Sequence, residues 1–116
     1  WLSIISSAPE QQGYYEAADV NRLNAEKKAS PTAILLDPDG AVGKLYGAQT
    51  TPHMFIIDPK GILVYQGAID DIRGTNPDDA ARARNYVSAA LDEAMAGKPV
   101  STPSTKSYGC SVKYQQ

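Results

Sequence analysis

Cys110 is the only cysteine of this 116-residue chain and its strongest nucleophile by type, standing near the end in the run Tyr108-Gly109-Cys110-Ser111. A thiolate attacks disulfides and oxidised sulfur or ligates metals. One thiol closes no disulfide within these residues and supplies too few ligands for a structural zinc site. Its chemistry therefore needs a partner outside them, the alternative being a passive tail thiol. No cluster of lysine and histidine flanks it to hold a primary attacking thiolate. His53, the only histidine, is a proton shuttle by type, but a half-buried strand histidine is commoner than a catalytic one, and no catalysis is assigned to it. Asp37, Asp39, Asp58, Asp70 and Asp71 are numerous enough for a metal site, yet none has EF-hand spacing and turn chemistry explains them more simply. Gly40, Gly43 and Gly47 form no dinucleotide fingerprint, so no cofactor and no metal is expected.

These residues must be positioned by elements that alternate in type. Leu2–Ser6 reads as a strand, with Trp1, Leu2, Ile4 and Ile5 buried, followed by a loop broken by Pro9 and Gly13. Glu16–Ala29 reads as a helix, with Ala17, Val20 and Leu23 on one stripe. Thr32–Asp37 is a strand closed by Asp37-Pro38-Asp39-Gly40, and Val42–Tyr46 a short helix ending at Gly47. His53–Asp58 and Ile62–Gly67, joined through Pro59-Lys60-Gly61, form a hairpin. Pro52 removes a backbone donor at the start of the first of these strands, where a proline is tolerated. After a loop at Asp70–Thr75, Asn76 caps a long helix whose Ala80, Ala83, Val87, Ala90, Leu91 and Ala94 share a face. The Ser-, Thr- and Pro-rich stretch Val100–Tyr108 is expected to be extended or mobile by itself, with Tyr108, Val112 and Tyr114 as anchors if the tail docks. The expected organisation is one α/β domain at 1–99 and a carboxy-terminal tail at 100–116 carrying Cys110.

Composition narrows the function classes. Hydrophobic residues make up 42% and charged residues 21%, ordinary globular usage. A net charge of -2 leaves no basic surplus, so nucleic acid is not an expected partner. No apolar run approaches the roughly 18 residues of a membrane span, so no membrane is expected either.

The stretch Thr50-Thr51-Pro52-His53-Met54-Phe55-Ile56-Ile57-Asp58-Pro59-Lys60-Gly61 resembles the redoxin segment that enters a hairpin through a cis-proline. Leu35-Leu36-Asp37-Pro38-Asp39-Gly40, Tyr46-Gly47 and Tyr108-Gly109-Cys110-Ser111-Val112-Lys113-Tyr114 continue the pattern over nearly the whole chain. It is similar to the alkyl hydroperoxide reductase and thiol-specific antioxidant group, the peroxiredoxin-like redoxins, and especially to a bacterial subgroup ending in this Cys110-containing tail. The resemblance implies a thioredoxin-like fold, a mixed sheet flanked by helices. The strand and active-site helix bearing the attacking cysteine would precede Trp1, and that strand would lie between Leu2–Ser6 and His53–Asp58. It also implies a cis Thr51–Pro52 bond facing the reactive thiol, with the Thr51 backbone open to a substrate strand, and a Cys110 that resolves the oxidised attacking cysteine. The implied activity of the intact parent is peroxide reduction or disulfide exchange, with a thiol reductant or a disulfide substrate protein as partner and peroxide as substrate in the first case. Members of the group are often exported, which gives a slight lean to the bacterial periplasm. The 116 residues alone would be inactive. The alternative is a non-catalytic module holding an extended partner segment at the Pro52 edge.

A sheet without its central strand leaves unpaired backbone at the edges of Leu2–Ser6 and His53–Asp58, and such edges invite association. Further residues of the parent, a strand exchanged within a homodimer, or a rearranged sheet in which the two strands meet are the expected remedies.

Overall fold

The structure is a computed structural model that describes every residue except Ala29, Thr75 and Gln116. It is mixed α/β, with β1 (Leu2–Ile5), α1 (Ala17–Glu26), β2 (Ala33–Leu36), α2 (Ala41–Tyr46), β3 (Thr50–Thr51), β4 (Met54–Ile57), β5 (Leu63–Gly67), α3 (Asp79–Arg82), α4 (Tyr86–Met95) and β6 (Cys110–Ser111) in chain order. The strands form three separate two-stranded sheets among the described residues: β1 with β2 in parallel, and β3 with β6 and β4 with β5 antiparallel. Among the described residues no strand pairing joins these sheets to one another, and β1 and β4 are not paired. Two units separate, Trp1–Ala48 with Val112–Gln116 and Gln49–Ser111, so the residues of the 100–116 segment are shared between them.

In the first unit, β1 and β2 pair in register with Leu2 beside Ala33 and Ile4 beside Leu35. Alternation sends Ser3, Ile5 and Ile34 to one side, where they line a cleft with Val20 and Leu23 of α1. The opposite side carries Leu2, Ile4 and Leu35, which are 58%, 43% and 45% exposed. The strand expected at Leu2–Ser6 is present, but its apolar residues are not all buried. Trp1 is exposed too, its indole N–H donating to Ser3 Oγ at 3.1 Å. Helix α1 ends three residues before Ala29, its expected last residue, which lies outside the described ones.

The turn after β2 is held by a buried carboxylate. Asp37 accepts the Ser6 hydroxyl at 2.6 Å, the Val42 N–H at 3.1 Å and the Gly43 N–H at 2.9 Å, satisfying donors that the start of α2 leaves open. Burial pushes the Asp37 carboxyl up, but the Ser6 hydroxyl, the two backbone donors and Asp39 outweigh it and hold the group below its ordinary value. Gly40 and Gly47 flank α2 in the left-handed region, as turn and cap glycines do. Tyr114 packs over Gly40 and Gly43 and donates its hydroxyl to Ala48 O at 2.6 Å.

In the second unit the hairpin forms as expected, with Asp58 Oδ1 accepting from the N–H groups of Lys60 and Ile62 in the turn. Met54 and Ile56 of β4 pack with Tyr65 of β5 against Val87 and Ala90 of α4, and Tyr65 is fully buried. The long helix expected from Asn76 is instead two helices. Ala83 is extended, and Arg84–Tyr86 hydrogen-bonds with Ile69–Asp71, Arg84 N donating to Asp71 Oδ1 at 2.8 Å and Tyr86 N to Ile69 O at 3.0 Å. Asn85 then caps α4 by accepting the Ser88 N–H at 2.8 Å. Asn76 accepts the Asp78 N–H in a local turn instead.

Nor is the 100–108 stretch loose. Gln66 N donates to Pro103 O and Thr105 N to Gln66 O, both at 3.0 Å, so Ser104 forms a parallel bridge with Gln66 of β5. Thr105 Oγ1 accepts the Ala68 N–H at 2.9 Å and lies 2.7 Å from the Tyr65 hydroxyl. The Tyr108 hydroxyl donates to Asp70, and burial together with that carboxylate pushes the phenol up to about 12.

Candidate functional site

The docked tail delivers Cys110 to a defined place. In the β3–β6 pair Thr51 stands opposite Cys110 and Thr50 opposite Ser111, so the thiol-bearing residue is the cross-strand partner of the residue before Pro52. Cross-strand partners lie about 4.5–5.5 Å apart at Cα. The close approach depends on Gly109, at φ +130, where an added Cβ would collide with the Thr51 carbonyl. The Thr51–Pro52 bond is cis. Thr50 Oγ1 donates to Pro52 O at 2.8 Å, fixing the turn from inside.

Thr51, Pro52 and Cys110 are all exposed, and Cys110 is a free thiol. Sequence separates them by almost sixty positions, and the structure brings them together. One edge of Thr50–Thr51, expected to stay open to a substrate strand, is taken by the chain's own tail. Cys110 lies on a two-residue strand at the surface.

His53 lies beside this site but is held as a strand residue. Its Nδ1 accepts the Gln49 N–H at 3.2 Å, and its ring stacks on Phe55 at 4.5 Å between centroids. Burial lowers its affinity for a proton, and a hydrogen bond to the Gln66 side chain opposes this only in part. Burial thus favours the uncharged imidazole, whose Nδ1 is engaged as an acceptor. The aspartates are likewise committed to backbone: Asp37 and Asp39 at the start of α2, Asp58 in the hairpin, Asp70 to Ile72 N and Asp71 to Arg84 N. No group of three or more metal-ligating side chains forms among the described residues.

Three residues build the site in roles the sequence reading did not give them: Gly109, whose lack of a side chain admits the Thr51 carbonyl, and Thr105 and Asp70, which anchor the preceding stretch. The one signal for them is the glycine directly before the cysteine and the tyrosine before that. No helix is long and apolar enough to cross a membrane among the described residues.

No protein-family model matches the chain, and no curated protein is similar to it. Among solved structures it is similar to a hypothetical protein from Sinorhizobium meliloti 1021, at 30% identity and a TM-score of 0.76. That match covers 98% of this chain and 61% of the other. It is also similar to an uncharacterized conserved protein from Geobacillus kaustophilus, at 30% identity and a TM-score of 0.78, covering 98% of this chain and 59% of that one. The chain thus spans about three fifths of the length of the solved structures it matches.

Proposed function

We propose that this chain is part of a peroxiredoxin-like thiol-disulfide redox protein with a thioredoxin-like fold, in which Cys110 resolves a disulfide or sulfenic acid formed on a second cysteine. The observation that carries this reading is the register of β6 on β3, which sets an exposed thiol opposite Thr51, beside the Pro52 turn. The element order, a parallel β1–α1–β2 unit followed by a hairpin and α4, supports the fold. Since the chain has one cysteine, the second sulfur belongs to residues outside these 116 or to another protein. In the step itself the Cys110 thiolate attacks that sulfur, an S–S bond forms, and a thiolate or hydroxide leaves. A thiol reductant reopens the bond by the reverse exchange. The 116 residues alone hold one of the two sulfurs and turn nothing over.

A non-catalytic module that grips an extended partner at the Pro52 edge draws support from the exposure of Thr51 and Pro52, but β6 already occupies one side of that segment. The two readings part in one measurement. The intact protein is recovered from peroxide-treated cells with free thiols blocked, and its disulfides are mapped by mass spectrometry. Cys110 is expected in a disulfide with a cysteine outside residues 1–116, released by dithiothreitol and absent in Cys110→Ser. A Cys110 that stays free at every peroxide dose sinks the resolving role.

A further inference from the structure

The cleft between α1 and the β1–β2 pair has no part in thiol chemistry. Its volume is about 610 Å3, inside the range of roughly 300–1,000 Å3 typical of small-molecule sites. Apolar side chains form its floor: Val20 and Leu23 from the helix, Ile34 from β2. Polar groups gather at one end. Val20, Leu23, Asn24 and Lys27 follow one another at helical spacing, so Asn24 and Lys27 continue the row that faces the sheet, and Ser30 joins them from the loop. Among the described residues, the side chains of Asn24, Lys27 and Ser30 make no hydrogen bond or ion pair with the protein.

An apolar floor with a few convergent polar groups at one end is the pattern of a site for an amphiphile. Lys27 is the charged side chain of the lining, which sets the sign. The last carbonyls of α1 oppose an anion with about half a unit charge, and the ammonium outweighs them with a full one. We propose that this cleft binds an amphiphilic anion, an apolar chain or ring seated on Val20, Leu23 and Ile34 with its single acid group held by Lys27, Asn24 and Ser30. The class is a monocarboxylate of about ten carbons, which a cleft of this volume accommodates.

Trp1 lines the same cleft and is the only tryptophan, so its emission reports occupancy. Decanoate, decanol and decyltrimethylammonium are titrated into the 116-residue chain below their micelle-forming concentrations, with thermal unfolding as a second readout. Decanoate is expected to give a saturable one-to-one change and a raised unfolding midpoint, and to bind about fivefold more tightly than decanol. Lys27→Glu, at an exposed helix-end position, is expected to weaken decanoate about tenfold and to strengthen the cation. Leu35→Gln, on the opposite face of the sheet, should leave all three affinities unchanged. Equal binding of acid, alcohol and cation overturns the proposal. So does a lack of both the saturable Trp1 response and the midpoint shift, or a decanoate affinity that falls in Leu35→Gln and not in Lys27→Glu.

Discussion

The two units solve the same problem with opposite means. The second gathers its strands around Tyr65, Val87 and Ala90, an apolar core closed on one side by α4 and sealed at the Tyr65 hydroxyl by Thr105. In the first unit Val20 and Ala8 are buried, but the residue around which the turn closes is Asp37, with three donors converging on its carboxylate, while Leu2, Ile4 and Leu35 face outward. Apolar strand residues alone therefore do not make a core. What decides is whether an element reaches the face they present, as α1 reaches the side of β1–β2 that carries Ile5 and Ile34.

Removing the apolar anchor should have the largest effect. Tyr65→Ala empties a fully buried site and strands the Thr105 contact, and is expected to cost about 3–5 kcal/mol in a denaturant melt. A loss under about 1 kcal/mol would mean that the second unit does not depend on this core. Asp37→Ala should come next, at about 2–3 kcal/mol, because it leaves the Val42 and Gly43 N–H groups and the Ser6 hydroxyl without their acceptor. This loss carries a pH signature. The folded Asp37 carboxyl sits below its unfolded value, so its contribution is complete above about pH 4 and disappears as pH falls through the folded value. Denaturant midpoints measured from neutral pH downward should therefore fall in the parent and flatten in Asp37→Ala; equal slopes would remove Asp37 from the polar knot. Leu35→Gln should be the mildest, within about 0.5 kcal/mol, since its side chain is already exposed. A large cost there would show that the face is covered after all and would erase the contrast between the units.

Local signals made most elements legible. Gly47 stops α2 and Pro59-Lys60-Gly61 turns the hairpin, and both act through their own backbone preferences, which sequence records. The break at Ala83–Asn85 was illegible for the opposite reason. The alanine stripe runs unbroken from Ala80 to Ala94, and the helix yields there to backbone bonds with Ile69–Asp71, a partner fifteen residues away. Thr51, Pro52 and Cys110 were legible as candidates one by one, but not as neighbours. Their juxtaposition is made by main-chain pairing along Pro103–Thr105 and by the missing side chain at Gly109, and main-chain pairing leaves little trace in residue type. The exposure of Leu2, Ile4 and Leu35 was hidden too, because apolar strand residues look the same in sequence whether or not they are buried.

The last residues of the chain belong with the first. Lys113 O accepts the Ala8 N–H at 2.7 Å, and Tyr114 lies over the glycines beside the Asp37 turn. The second unit, Gln49–Ser111, is built from consecutive residues, whereas Trp1–Ala48 gains these contacts only from residues that lie beyond the whole of the second unit in sequence. The contacts that close the first unit span nearly the full length of the chain, and contacts of such separation form slowly. Closure of the first unit is thus a long-range event that depends on residues following the thiol-bearing strand, while the second unit closes over a continuous stretch.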